Sequence, residues 1–124
     1  MHAAAPADLI QCRIDERGAA GRVAYVTVNN PEKRNTLGIP GKRAIAETFG
    51  KLAKDDQLRV AVITGGGDKS FIAGADIAEM KDLDAEQALV EHTLTHVANE
   101  SIRMLPVPVI ARVNGWCLGF GMEL

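Results

Sequence analysis

The order of elements along the chain predicts an α/β fold built on a mostly parallel sheet. Three observations carry that expectation. A β-branched strand, an amphipathic helix and an apolar run follow one another between Val23 and Thr64, the order of a right-handed βαβ unit. Two runs, VAVIT at 60–64 and VIARV at 109–113, are apolar at almost every position, as in strands buried on both faces. Each leads on into glycine-bearing stretches, where α/β sheets usually hold ligands.

After an Ala/Pro-rich stretch, read as a flexible tail over residues 1–8, Ile10, Cys12 and Ile14 alternate with Gln11, Arg13 and Asp15. That period of two predicts a half-buried strand. A turn at Glu16 to Gly21 leads into VAYVTV at 23–28, and so short a connection makes an antiparallel hairpin. NNPEKRNTL at 29–37 is polar and holds a proline, which predicts a loop.

From Pro40 to Lys54, Ile45, Phe49, Leu52 and Ala53 fall on one helical face, leaving Lys42, Arg43, Glu47 and Lys51 for the rest. Pro40 suits the first turn of that helix. In FIAGADIAEM at 71–80, Asp76 is placed to cap a helical turn. Asp84 to Leu105 predicts the longest helix, with Val90, Leu94, Val97, Ser101 and Met104 along its apolar stripe and Ala98, Ile102 and Leu105 widening it. Pro106 and Pro108 end it. No repeat or linker divides the chain, so residues 1–124 read as one domain.

The composition excludes several function classes. A net charge of -2 gives no general attraction to nucleic acid or to an anionic membrane, and with aromatics at 4% a base-stacking platform is not expected. No apolar run reaches the length of a membrane span and no signal-like segment opens the chain, so a cytoplasmic location is expected. Cys12 and Cys117 lack the spacing of a zinc or redox motif and read as reduced, small buried residues. GGGDKS at 65–70 departs from the P-loop pattern because Asp68 stands where a glycine is required. His92 and His96 are spaced to share a metal, but no third ligand completes a recognisable set, so no metal is expected.

The chemistry concentrates in two stretches, FIAGADIAEM and NGWCLGFGMEL at 114–124. Both follow predicted parallel strands and should meet at one sheet edge. Each offers backbone N–H groups near a helix start, and two such donors on one oxygen form an oxyanion hole, where a preorganised donor contributes about 3 kcal/mol to a transition state. Glu123 adds a carboxylate able to move a proton. Donors plus a base suit enolate chemistry better than a covalent acyl-enzyme, for which Cys117 is the one candidate thiol.

FIAGADIAEM resembles the FxAGADIxEM segment of the enoyl-CoA hydratase/isomerase (crotonase) superfamily, and PVIARVNGWCLGFGMEL at 108–124 resembles its PVIAxVNGxxxGGGxEL segment. NPEKRNTL fits the early loop of the same family, and the likeness runs from Leu9 onward. The resemblance implies a spiral fold of ββα units and an acyl-CoA thioester as substrate, with no separate cofactor. The implied oxyanion donors are the amides of Ala75 and Phe120. Ala73, Asp76, Ile77 and Ala78 would line the channel for the adenine and pantetheine parts, while Lys33 and Arg34 lie in the loop that approaches the CoA phosphates. Glu123 matches the first of the two glutamates that hold and activate water in the hydratases.

Two departures from the family pattern matter. Phe120 stands where many members have glycine, and its side chain is expected to fill space beside the thioester. The sequence stops one residue after Glu123, so the second glutamate and the carboxy-terminal helices that cover the acyl group and build a trimer, or a dimer of trimers, are expected to be missing. The expected activity is reversible hydration of a trans-2-enoyl-CoA by the full-length protein. A double-bond isomerase, or an inactive CoA-binding or subunit-interaction fragment, are the alternatives. The isolated 124-residue polypeptide is expected to associate and to be inactive.

Overall fold

The computed structural model describes residues 6–124. Residues 1–5, most of the expected tail, lie outside the described residues. Pro6–Leu9 form a short helical segment, α1, where the tail was expected to continue.

The strands β1 (Ile10–Glu16) and β2 (Arg22–Val28) pair antiparallel through a tight connection, as the alternation and spacing require. Helix α2 (Ile39–Leu52) then crosses to β3 (Leu58–Gly65), which lies parallel to β2. This is the expected βαβ unit. Strand β4 (Ser70–Ile72) leads through Asp76, which caps α3 (Ile77–Met80) by accepting the amide of Glu79 at 3.3 Å. Helix α4 (Ala85–Arg103) opens on a capping box between Asp84 and Gln87. Strand β5 (Val109–Arg112) joins β3 in parallel, and β6 (Trp116–Cys117) leads to α5 (Phe120–Glu123). The main sheet thus has the order β1-β2-β3-β5, and β4 with β6 forms a separate parallel pair. Neither short strand was expected from the sequence.

The core lies between this sheet and α2, where Ile45, Phe49 and Leu52 meet Val26, Val28, Ala61 and Ile63. Burying such apolar surface removes about 25 cal/mol of unfavourable hydration per Å². The depth of burial departs from expectation in several places. Cys12 and Ile14 are exposed on edge strand β1, and only Ile10 of that alternation is buried. Cys12 and Cys117 are both free thiols, and Cys117 is half-buried. Ala53, expected on the buried face of α2, is exposed beyond its end. Strand β3 buries Ala61 and Ile63 while Val60, Val62 and Thr64 stay half-buried, so its two faces are not equivalent.

The largest difference concerns α4 and β5. Val90, Val97 and Met104 of the expected stripe are exposed, Met104 at 72%, whereas Ala98 is fully buried and Glu91 and Thr95 lie on the side that meets α2. Ile110 of β5 is 53% exposed. Periodicity reports which side chains are apolar, and not which apolar face a neighbour covers. No helix among the described residues is long and apolar enough to cross a membrane.

Candidate active site

Two backbone turns meet at the end of the β4–β6 pair. Strand β4 leaves its last paired residue through Gly74, whose φ of +129° requires glycine, into Ala75. Strand β6 leaves through Leu118 and Gly119, where φ is +51°, into the first residue of α5. The amide of Leu118 donates to the carbonyl of Ile72 at 3.1 Å, which extends the parallel pairing into the turns. A Cβ placed on Gly74 would lie 3.7 Å from the carbonyl oxygen of Leu118, and one on Gly119 would lie 3.7 Å from the Cα of Gly74. The turns are therefore at van der Waals distance.

Among the described residues no protein acceptor engages the amide of Ala75 or that of Phe120. The residues that follow each of them are committed, and the carbonyls of Gly74 and Gly119 accept bonds. The amide of Leu37 donates to Gly74 at 3.0 Å, that of Asp76 to Leu37 at 3.1 Å, and those of Gly121 and Met122 to Leu118 and Gly119, each at 2.9 Å. Two uncommitted N–H groups in touching turns are free to donate to a ligand oxygen, the requirement for stabilising an anion.

The loop at 29–37 braces this arrangement from the other side. Arg34 takes the left-handed conformation at φ 54°, and its carbonyl accepts the amide of Ala73 at 3.1 Å. Leu37 brackets Ala75 with the two bonds just described, and Asn35 ties the loop to Gly66 and Ser70. None of these bracing roles was read from the sequence. The residues occur in a segment that reads as a polar loop and whose family likeness pointed only to Lys33 and Arg34 as phosphate-facing side chains, and their partners are remote in the chain.

The structure brings Lys33 to Asp76, with Nζ 3.8 Å from the carboxylate, at a groove that Leu37, Gly38, Pro40 and Glu79 also line. Ala73 and Asp76 are half-buried, while Ile77 and Ala78 lie on the exposed side of α3 and Arg34 is exposed. Glu79 reaches across to accept the amide of Ile39 at 3.1 Å, satisfying a free N–H at the start of α2. Glu123 stands one helical turn beyond Phe120 with its side chain exposed.

Phe120 corrects one expectation. Its ring is 4% exposed, sits in the core, and is approached by Lys42 Nζ at 4.9 Å from its centroid, so it does not stand in open space beside the turns. The unusual backbone angle falls on Gly119, and Phe120 begins α5 without strain while its side chain takes the buried face.

Gly121 sets how closely α5 approaches β4. A Cβ there would overlap the carbonyl oxygen of Ile72, which is backbone and cannot swing away. Gly121→Ala is expected to cost about 1–3 kcal/mol as overpacking and to separate the two turns. Gly50→Ala, where an added Cβ meets nothing within 4 Å on helix α2, is expected to hold or raise stability by up to about 1 kcal/mol. Urea unfolding of both variants checks the contrast, and equal midpoints would refute it.

Comparison with known proteins identifies the family to which the chain is similar. The pattern of the family described as Enoyl-CoA hydratase/isomerase matches residues 18–124. A short-chain-enoyl-CoA hydratase of Clostridium acetobutylicum is 36% identical over 84% of this chain and 40% of its own length. A crotonyl-CoA hydratase of Syntrophomonas wolfei is 38% identical over 83% of this chain and 40% of its own. The crystal structure of an enoyl-CoA hydratase/carnithine racemase from Magnetospirillum magneticum superposes with a TM-score of 0.84 at 37% identity, covering 93% of this chain and 42% of that one. The chain thus spans about 40% of the length of the curated relatives it matches. Its mixed α/β architecture matches that of the crotonase fold. With the paired turns, the family pattern and these likenesses in agreement, the chain belongs to the enoyl-CoA hydratase/isomerase family.

Proposed function

We propose that the full-length protein catalyses reversible hydration of a trans-2-enoyl-CoA to the 3-hydroxyacyl-CoA. The observation that carries this reading is the contact between the Gly74–Ala75 and Gly119–Phe120 turns, each with an uncommitted amide. In this reading the thioester oxygen accepts both N–H groups. Water adds its oxygen to C3, the C2–C3 π electrons move toward the thioester oxygen, and the enolate then takes a proton at C2. Negative charge grows on the oxygen during the first step, so the two amides bind the transition state better than the substrate.

Glu123 is the proposed base, removing a proton from the water together with a second carboxylate from the remainder of the full-length protein. Lys33 and Arg34 attract the CoA phosphates at the groove mouth, and Ala73, Asp76, Ile77 and Ala78 border the rest of the coenzyme. No cofactor takes part beyond the CoA carried by the substrate. Assembly of like subunits, to a trimer or a pair of trimers, belongs to the same proposal, as does a cytoplasmic location.

The test is hydration of crotonyl-CoA by the full-length protein, followed by loss of the conjugated thioester absorbance. Turnover to 3-hydroxybutyryl-CoA is expected. Its absence, with conversion of a 3-enoyl-CoA to the 2-enoyl isomer instead, would replace the hydratase reading by isomerisation, which needs one base and the same two amides.

A further inference from the structure

Lys42 lies on the part of α2 that periodicity assigns to solvent, yet it is 1% exposed. Its ammonium is held by the Glu91 carboxylate and donates to the Thr95 hydroxyl at 2.8 Å, both on α4. The Thr95 hydroxyl in turn donates to the Glu91 carbonyl at 3.1 Å, so its oxygen is aligned to accept from Lys42. The remaining close partner is the ring of Phe120, with its centroid 4.9 Å from Nζ. A buried ion pair is a weak source of stability, because desolvation of both charges offsets their attraction. Stability alone therefore does not account for a lysine at this position.

The position of Phe120 does account for it. Helix α5 has four residues and follows Gly119, which offers no side-chain cap, so it has little rigidity of its own. Its buried residues are Phe120 and Gly121, and Phe120 alone brings a large side chain into the core. A desolvated cation over an aromatic face is a directional contact. The ring is thus gripped from α2 by a cation that α4 holds in place.

We infer that Lys42, held by Glu91 and Thr95, is a positioning residue that fixes the Phe120 amide for the thioester oxygen by clamping the Phe120 ring. The inference rests on the oxyanion role proposed above for Phe120. Lys42 touches no substrate and acts through the ring. Displacement of one of two donors weakens binding of the oxyanion more than binding of the substrate, so the effect falls on kcat.

The test uses the full-length protein with Lys42→Met and the double variant Lys42→Met/Glu91→Met. The single variant leaves a buried carboxylate without its cation and is expected to be unstable. Replacing both charges by apolar groups of similar volume is expected to restore the melting temperature. In the restored double variant kcat is expected to remain about tenfold below wild type, with KM for the enoyl-CoA within about twofold. A purely structural role predicts that kcat returns with stability, and that result would overturn the inference.

A second readout needs no turnover. With 15N-phenylalanine labelling, the Phe120 amide resonance of the double variant is expected to shift from its wild-type position. An unmoved resonance overturns the clamp even if the reaction is confirmed. A wild-type protein inactive on enoyl-CoA substrates refutes the proposed reaction, and the resonance then decides the clamp by itself.

Discussion

Glu123→Gln is expected to lower kcat for enoyl-CoA hydration by about 10²–10⁴-fold in the full-length protein, the usual contribution of a positioned general base. Glutamine keeps the shape of the side chain and removes its capacity to take a proton. Among the described residues the Glu123 carboxylate makes no hydrogen bond or ion pair, and it is exposed at the end of α5. Stability should therefore change by no more than about 0.5 kcal/mol. The two readouts separate chemistry from folding: steady-state kinetics should collapse while the melting temperature holds. Because the base acts on water and not on the CoA portion, KM should move little. A variant retaining wild-type kcat would remove Glu123 from the mechanism.

Asn35→Ala should have the largest effect on stability. Asn35 is wholly buried; its Oδ1 accepts the amide of Asn30 at 2.8 Å, and its Nδ2 donates to the carbonyls of Gly66 and Ser70, each at 2.9 Å. Alanine strands three backbone groups, each costing about 1–3 kcal/mol where water cannot reach it. It also inherits a left-handed backbone, φ 57°, that asparagine tolerates better. The expected loss is about 3 kcal/mol or more, or roughly 10 °C in melting temperature for a domain of this size. Activity should fall as well. The neighbouring Arg34 carbonyl holds Ala73, and Leu37 holds both Gly74 and Asp76, so a loosened loop frees the turn that presents the Ala75 amide. A variant melting within a degree or two of wild type would show that the loop is held by other means.

Much of the architecture was legible because local signals agreed with one another. The β1–β2 hairpin follows from alternation and a short turn, and the β2–α2–β3 crossover from a helical stripe between two β-branched runs. Asp76 caps a helical turn from the position its chemistry suggests, and Asp84, expected as the first residue of the long helix, is its cap. The two glycine-bearing turns were recognisable as segments, and their meeting was expected from the parallel runs that became β3 and β5, although the unexpected β4–β6 pair is what joins them.

What remained hidden depends on which surface meets which. The stripe on α4 is apolar at Val90, Val97 and Met104, yet these are exposed, while Glu91, Thr95 and Ala98 lie on the α2 side. Lys42 reads as a solvated charge until a carboxylate 49 positions later is brought beside it. Likewise, Asn35 is one more residue in a polar loop until Gly66 and Ser70 arrive as acceptors.

The sequence by itself determined the α/β class, the order and direction of the main-sheet strands and the two long helices, and the two turns with their glycines and following carboxylate. Backbone angles, strand periodicity and helix capping act over a few residues, so these features are written locally. The tertiary structure alone decided that Phe120 turns its ring inward onto Lys42, that the amides of Ala75 and Phe120 are left without protein acceptors, and that Asn35 braces the loop behind them. These are contacts between residues distant in the chain, and chain spacing carries no record of them until the sheet has formed.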